Sequence, residues 1–368
     1  MNFENYWKYN VVWNTFSLKN AVLSVGVLSF ALLTGCGNNS QQNNETKAEA
    51  SQTAPAAELP KEVRFAWGGG PRVWVLGKAD GDFEKALGTK IKWVEFASGA
   101  DVINYFAANE IDIARFGSSP AVAGITRGLP IEIIGLEGLI SGAERLIVRP
   151  DIKNLQDLVG KKVAFPANST AQYALEQALA LNKIDKSKIK LIPLKPAEIV
   201  SAWTRGDIDA AYIWGPFTQQ LEKEGGKEIY RTTTLNEKGI LVYNNFAVRK
   251  EFAEKHPDLV IKFLKAYQDQ VDEYKRDPKA ASEKISKYLS LPYDQVETTL
   301  AGIEYIPLKD QASEKYLGAT SNDENSGLAK ATQDIAKFLV SIGELKQSDV
   351  PKSYAPNIDS KYLIEATK

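Results

Sequence analysis

Two stretches of this chain carry the same pattern: residues 100–114 (ADVINYFAANEIDIA) and residues 197–211 (AEIVSAWTRGDIDAA). Phe106 falls opposite Trp203, and Ile111-Asp112 opposite Ile208-Asp209. In each, apolar residues at helical spacing give way through a short turn to a strand. Each strand then runs into small residues and a proline, Gly117-Ser118-Ser119-Pro120 in the first and Trp214-Gly215-Pro216 in the second. A chain that builds this unit twice is constrained to two similar lobes whose strand-end corners face one another across a cleft, where open α/β sheets take ligands. Short β-type runs at 63–67, 90–96, 111–116 and 130–135, and again at 162–165, 189–194, 208–213 and 241–249, alternate with helical stretches. That alternation predicts an α/β architecture with mostly parallel sheets. The C-terminal part reads as helices at 258–274, 280–289, 293–303 and 326–342.

The corners are where a ligand would sit. In Gly117-Ser118-Ser119-Pro120, Ser119 suits an N-cap, Pro120 the first helical position, and Gly117 a close backbone approach. Such a corner can hold a sulfonate, phosphate or carboxylate on free N–H groups without a fixed cation. It can equally be a capped helix with no ligand. Asn168-Ser169-Thr170, between a strand and the next helix, repeats the arrangement in the second lobe, and Ser98-Gly99 offers a further cap. Trp67-Gly68-Gly69-Gly70-Pro71-Arg72 lacks the spacing of a phosphate loop; Arg72 either meets the anion or is a solvated loop residue. Glu144 stands where the first lobe gives way to the second, so its carboxylate either meets an ammonium group in the cleft or lies on the surface. Trp203 reads as core, and Trp214, at a strand end, as a wall or cation–π face of the site.

The N-terminal end points to a compartment. Lys8 and Lys19 precede an apolar run at 21–33. The run is shorter than the roughly 18 to 20 residues a spanning helix needs, and so reads as a signal peptide. Leu33-Thr34-Gly35-Cys36 follows at once and resembles the bacterial lipobox, whose cysteine accepts a diacylglyceryl group; Cys36 is the only cysteine in the chain. The expectation is a lipoprotein signal peptide at 1–35 and a lipidated Cys36 with a tether to residue 60, too poor in apolar groups to order itself. The folded body would begin near Lys61, outside the cytoplasm and anchored to the bacterial membrane by acyl chains. One Cys and one His exclude a disulfide framework, a Cys/His zinc site and a Cys–His catalytic pair. His256, just before a helix, is expected at the surface. With 45 Lys+Arg against 46 Asp+Glu, net charge -1, no basic field exists to hold nucleic acid. No nucleophile elbow or Walker loop occurs, so no cofactor or catalytic group is expected; no metal site is expected either, although metal held by carboxylates alone stays open on this reading.

Several segments match a known family: Phe96-Ala97-Ser98-Gly99-Ala100, residues 113–120 with their Gly-Ser-Ser-Pro, Arg127-Gly128-Leu129-Pro130-Ile131-Glu132, Trp203-Thr204-Arg205-Gly206-Asp207-Ile208-Asp209, and 248–257 (VRKEFAEKHP). From about Val63 onward the chain resembles the taurine-binding proteins of bacterial ABC importers. The resemblance implies a two-lobe periplasmic-binding-protein fold of type II and a monomer that delivers a small sulfonate to a permease and its ATPase without catalysis. Lobe 1 would comprise 61–141 and 248–368 and lobe 2 142–247, with a hinge near 139–142 and 245–248. Carried over by position, it puts a sulfonate near Ser98, Ser118, Ser119, Ser169 and Thr170, and an amine near Glu144 and Trp214. Where that pattern has an acidic residue ahead of Val-Arg-Lys, this chain reads Tyr243-Asn244-Asn245-Phe246, an amide at Asn244. The loop carrying Arg72 differs as well. Both departures open the site to another small anion or zwitterion, such as a carboxylated amine or a phosphonate, the latter leaning on Arg72 as a fixed cation. An enzyme of the thiamine-pyrimidine kind on the same fold would want a reactive Cys or His in the cleft. A receptor for protein surfaces would want a large exposed apolar patch. The sequence favours neither.

Overall fold

The computed structural model describes residues 58–68 and 70–368. The expected signal peptide, Cys36 and most of the expected tether lie outside them. Eleven strands form two sheets among the described residues: β1 (Glu62–Trp67), β2 (Lys90–Glu95), β3 (Ile113–Gly117), β4 (Ile131–Ile140), β5 (Glu144–Val148), β6 (Lys162–Phe165), β7 (Lys190–Pro193), β8 (Ala210–Trp214), β9 (Lys227–Arg231), β10 (Tyr243–Arg249) and β11 (Ile303–Glu304). The first sheet runs β11-β4-β10-β3-β1-β2 and the second β7-β6-β8-β5-β9. Read from the other end, the second is β9-β5-β8-β6-β7, so five strands of each sheet lie in the same spatial order. The echo between 100–114 and 197–211 is thus part of a repeat of whole lobes.

Only the trios β2-β1-β3 and β7-β6-β8 are parallel. β10 runs antiparallel to β3 and β4, and β5 to β8 and β9. The sheets are therefore mixed, not mostly parallel. Each trio is made by helical crossovers, whereas β10 and β5 enter their sheets on the return from the other lobe. The same pairing moves a boundary: β10 is bonded into the first sheet from Tyr243 onward, so the chain re-enters that lobe before Tyr243 and not at 247/248. The expected hinge at 245–248 is central sheet. The first crossover lies between β4 and β5, at 141–143, against the 139–142 expected, and there Ser141 and Ala143 both donate backbone N–H groups to the Gly302 carbonyl, at 2.9 and 3.0 Å.

Burial follows the period of each element. The Pro257–Arg276 helix buries Leu259, Val260, Phe263, Leu264, Tyr267 and Val271, one apolar stripe on an otherwise charged rod. That stripe meets Phe65 and Phe246 of the first sheet edge-on or tilted, with ring centroids 4.8 to 5.3 Å apart. Trp203 is fully buried in a smaller cluster of the second lobe with Ile199, Ile208 and Ile213, its ring covered by the Arg149 guanidinium at 3.8 Å. His256 is 9% exposed against Phe252. It sits at the N-cap position of the long helix and is less exposed than expected because its ring packs on Phe252 at the edge of a surface groove.

Candidate functional site

The carboxyl ends of the parallel strands from both lobes open onto one cavity of about 300 Å³. It brings together Arg72, Ser98, Gly99 and Asn244 from the first lobe with Glu144, Ser169, Thr170 and Trp214 from the second. Two expected residues are not on its wall. The helix after β3 starts at Ser118 with Gly117 as its N-cap, two residues earlier than the capping pattern predicts. Ser118 and Ser119 therefore fall inside the first turn, fully buried, and their hydroxyls meet no hydrogen-bond partner. Gly117 and Pro120 line the cavity in their place. The corners of the two lobes touch: a Cβ on Gly117 would come within 2.9 Å of Thr170 Cγ2.

The expectation of an anion seat without a fixed cation does not hold. Arg72 and Arg115 both reach the cavity and both contact one carboxylate, that of Glu137 on β4. Arg72 Nε lies 3.5 Å from its Oε1 and Arg115 Nη2 3.3 Å from its Oε2. Glu137 is completely buried, and the Nε groups of both arginines find no hydrogen-bond acceptor. Burial, with Arg72 alongside, lowers the Arg115 pKa, and Glu137 opposes that shift. A guanidinium stays charged under such pressure, so the floor keeps donors to spare. Arg115 and Glu137 are the residues that reading the sequence for corners overlooks. Their signal is charge inside an apolar strand, one Arg in IARFG and two Glu in IEIIGLEGLI, because a strand of this burial carries a charge only where it has a partner.

On the opposite side, Ser169 caps the Thr170–Leu181 helix, accepting from the Gln172 N–H at 3.2 Å. Asn168 ahead of it adopts φ 54°, the left-handed turn that Asn tolerates. The first side chain of that helix, Thr170, donates its hydroxyl to Glu144 Oε1. Glu144 Oε2 has no partner. Burial pushes the Glu144 carboxyl up to about 7, against the Thr170 hydrogen bond and the nearby charges of Arg72 and Arg115. The site thus offers guanidinium donors on one side and a carboxyl poised to ionise on the other. Trp74 and Trp214 provide apolar wall. Such a cavity suits a small molecule with an anionic head and a cationic or neutral tail.

Comparison with known proteins agrees with this chemistry. The NMT1-like family matches residues 71–290. The taurine-binding periplasmic protein of Escherichia coli is 32% identical over 78% of this chain and 88% of its own length. A putative aliphatic sulfonates-binding protein of Bacillus subtilis is 30% identical over 82% of this chain and 87% of its own. Among solved structures, the alkanesulfonate-binding protein of Xanthomonas axonopodis pv. citri, bound to MOPS, superposes with a TM-score of 0.68 at 23% identity, covering 79% of this chain and 96% of that one. The two lobes are those of that type II binding-protein fold.

Proposed function

The chain belongs to the NMT1-like family, and from that premise we propose that it is the extracytoplasmic substrate-binding component of an ABC importer, taking taurine or a related small sulfonate. The observation that carries this is the shared cavity: two guanidiniums from the first lobe and an ionisable carboxyl from the second face one space of about 300 Å³. The sulfonate would lie on Arg72 and Arg115 and on the N–H groups that open the Ser118–Thr126 helix. Ser98, Asn244, Ser169 and Thr170 complete the polar lining, and a tail amine would meet Glu144 beside Trp214.

The lobes would be 61–141 with 243–368, and the segment between them, closing about crossovers at 141–143 and just before Tyr243. In the open form the anion meets the arginine floor first, and Glu144 and Thr170 reach it as the corners close. A permease can tell loaded from empty protein only if ligand favours the closed state; a hundredfold preference corresponds to about 2.7 kcal/mol. Lipid on Cys36 would hold the monomer at the membrane within reach of the permease.

Titration calorimetry with taurine and short alkanesulfonates tests the substrate. Micromolar or tighter binding of at least one is the expected result, and failure of every sulfonate removes the reading. For the anchor, Cys36→Ser should release the protein from the membrane fraction.

A further inference from the structure

We propose that Glu137 sets the charge of the ligand: held between Arg72 and Arg115, it cancels one of two guanidinium charges beneath the cavity and leaves a floor matched to one negative charge, not two. This rests on the reading that the floor receives an anionic head group. Glu137 is fully buried and takes no part in the cavity wall, so it acts through the arginines as a positioning residue. Among the described residues, the ion pairs of Arg72 and Arg115 are those with Glu137 alone. Its backbone is fixed from behind, where the Tyr267 hydroxyl donates to the Glu137 carbonyl. Two guanidiniums and one carboxylate leave one positive charge with unsatisfied N–H donors, and a monoanion neutralises it. A dianion of the same shape would carry a second charge into a closed, dehydrated space with nothing to balance it. Glu144, across the cavity, adds a further negative charge when ionised and makes that mismatch larger.

Two pairs of probes differ in charge while keeping shape: taurine against 2-aminoethylphosphonate at about pH 8.5, where the phosphonate is doubly ionised, and methanesulfonate against sulfate. In wild-type protein each sulfonate should bind at least about tenfold more tightly than its dianionic partner. Glu137→Gln keeps the side-chain shape and raises the floor by one charge, and should move both ratios about tenfold towards the dianion. Adding Arg72→Gln to Glu137→Gln restores the net charge and should return the ratios towards wild type. The inference is overturned if wild-type protein binds the dianions as well as the sulfonates, or if Glu137→Gln weakens all four probes by one common factor, as a purely structural residue would. Should Glu137→Gln not fold, the two wild-type ratios decide. If wild-type protein binds none of the four, the sulfonate reading itself fails; sulfonate binding without charge discrimination sinks only the role of Glu137.

Discussion

The two lobes share a backbone plan and differ in charge at equivalent positions. Extending the register that sets Phe106 opposite Trp203 carries Gly117 onto Trp214 and Arg115 onto Tyr212. Asn244 on β10 pairs with Gly117, and Glu144 on β5 pairs with Trp214, each at the last residue of its partner strand. Where the first lobe places an arginine inside the strand and an amide at its end, the second places a buried tyrosine, bonded to Thr232 at 2.9 Å, and a carboxyl. One scaffold thus presents a cationic floor from one side and an acid from the other. The acidic group that the family pattern leads one to seek at Asn244 has its counterpart at the pseudo-equivalent position in the opposite lobe. A repeated fold fixes where side chains converge, and single substitutions decide what they bind.

Removing the cation of the first lobe should do the most damage. Arg115→Gln leaves Glu137 with one partner and the anion with one guanidinium, and truncation of a desolvated charge pair costs about 2–5 kcal/mol. Sulfonate affinity should fall a hundredfold or more by calorimetry; a loss under about threefold would show that the helix end, not the arginine, holds the anion. Making the second lobe resemble the first, through Glu144→Gln, should cost less and more selectively. Taurine should weaken about tenfold while methanesulfonate, which has no amine, holds or gains. The wild-type protein carries the same test in its pH profile. Because burial holds the Glu144 carboxyl at about 7, taurine should bind more tightly as pH rises from about 6 to 8, and methanesulfonate should not. By linkage, the native state keeps a proton between 4.5 and about 7 that the unfolded chain has released, so this group makes unliganded stability fall across that window. A flat taurine profile that Glu144→Gln leaves unchanged would detach the carboxyl from the ligand.

Contacts within and between lobes can be separated by two glycines. A Cβ on Gly99 would lie 2.3 Å from Pro120 Cγ inside the first lobe, whereas one on Gly117 would lie 2.9 Å from Thr170 Cγ2 across the cleft. The first cannot be relieved by opening; the second can. Gly117→Ala should therefore weaken ligand several-fold with little change in the melting temperature of the empty protein. Gly99→Ala should lower that temperature by forcing apart two packed helices at about 1–3 kcal/mol. Equal losses of stability in both variants would mean that the corners do not part.

Much of this arrangement is legible in the sequence because it follows from periodicity and corner chemistry. Strand ends, the repeat and the Gly/Ser corners declare themselves within a few residues, and so eight of the ten residues named from the sequence line the cavity. What escapes is long-range. Arg115 and Glu137 are 22 positions apart, on strands that never pair directly but flank β10, so nothing local says that their charges meet. Glu144 reads as a link between lobes because β5 pairs only with strands far ahead of it, β8 and β9. The crossover before Tyr243 is hidden for the same reason, since an antiparallel strand returning to the first sheet looks locally like any other.

The smallest effect is expected where the second lobe most resembles an ordinary helix start. Ser169 spends its hydroxyl twice on its own backbone, donating to the Pro166 carbonyl at 2.5 Å and accepting from the Gln172 N–H. Little of it is left for a ligand, although it lines the cavity. Ser169→Ala should cost about 1 kcal/mol of stability, the ordinary worth of an N-cap, and leave taurine affinity within about twofold, because Thr170 and Glu144 keep their own bond. A melting curve and one titration separate the two quantities. If affinity falls instead and stability holds, the hydroxyl turns to the ligand on closure, and the second lobe contributes a donor to the anion as the first does.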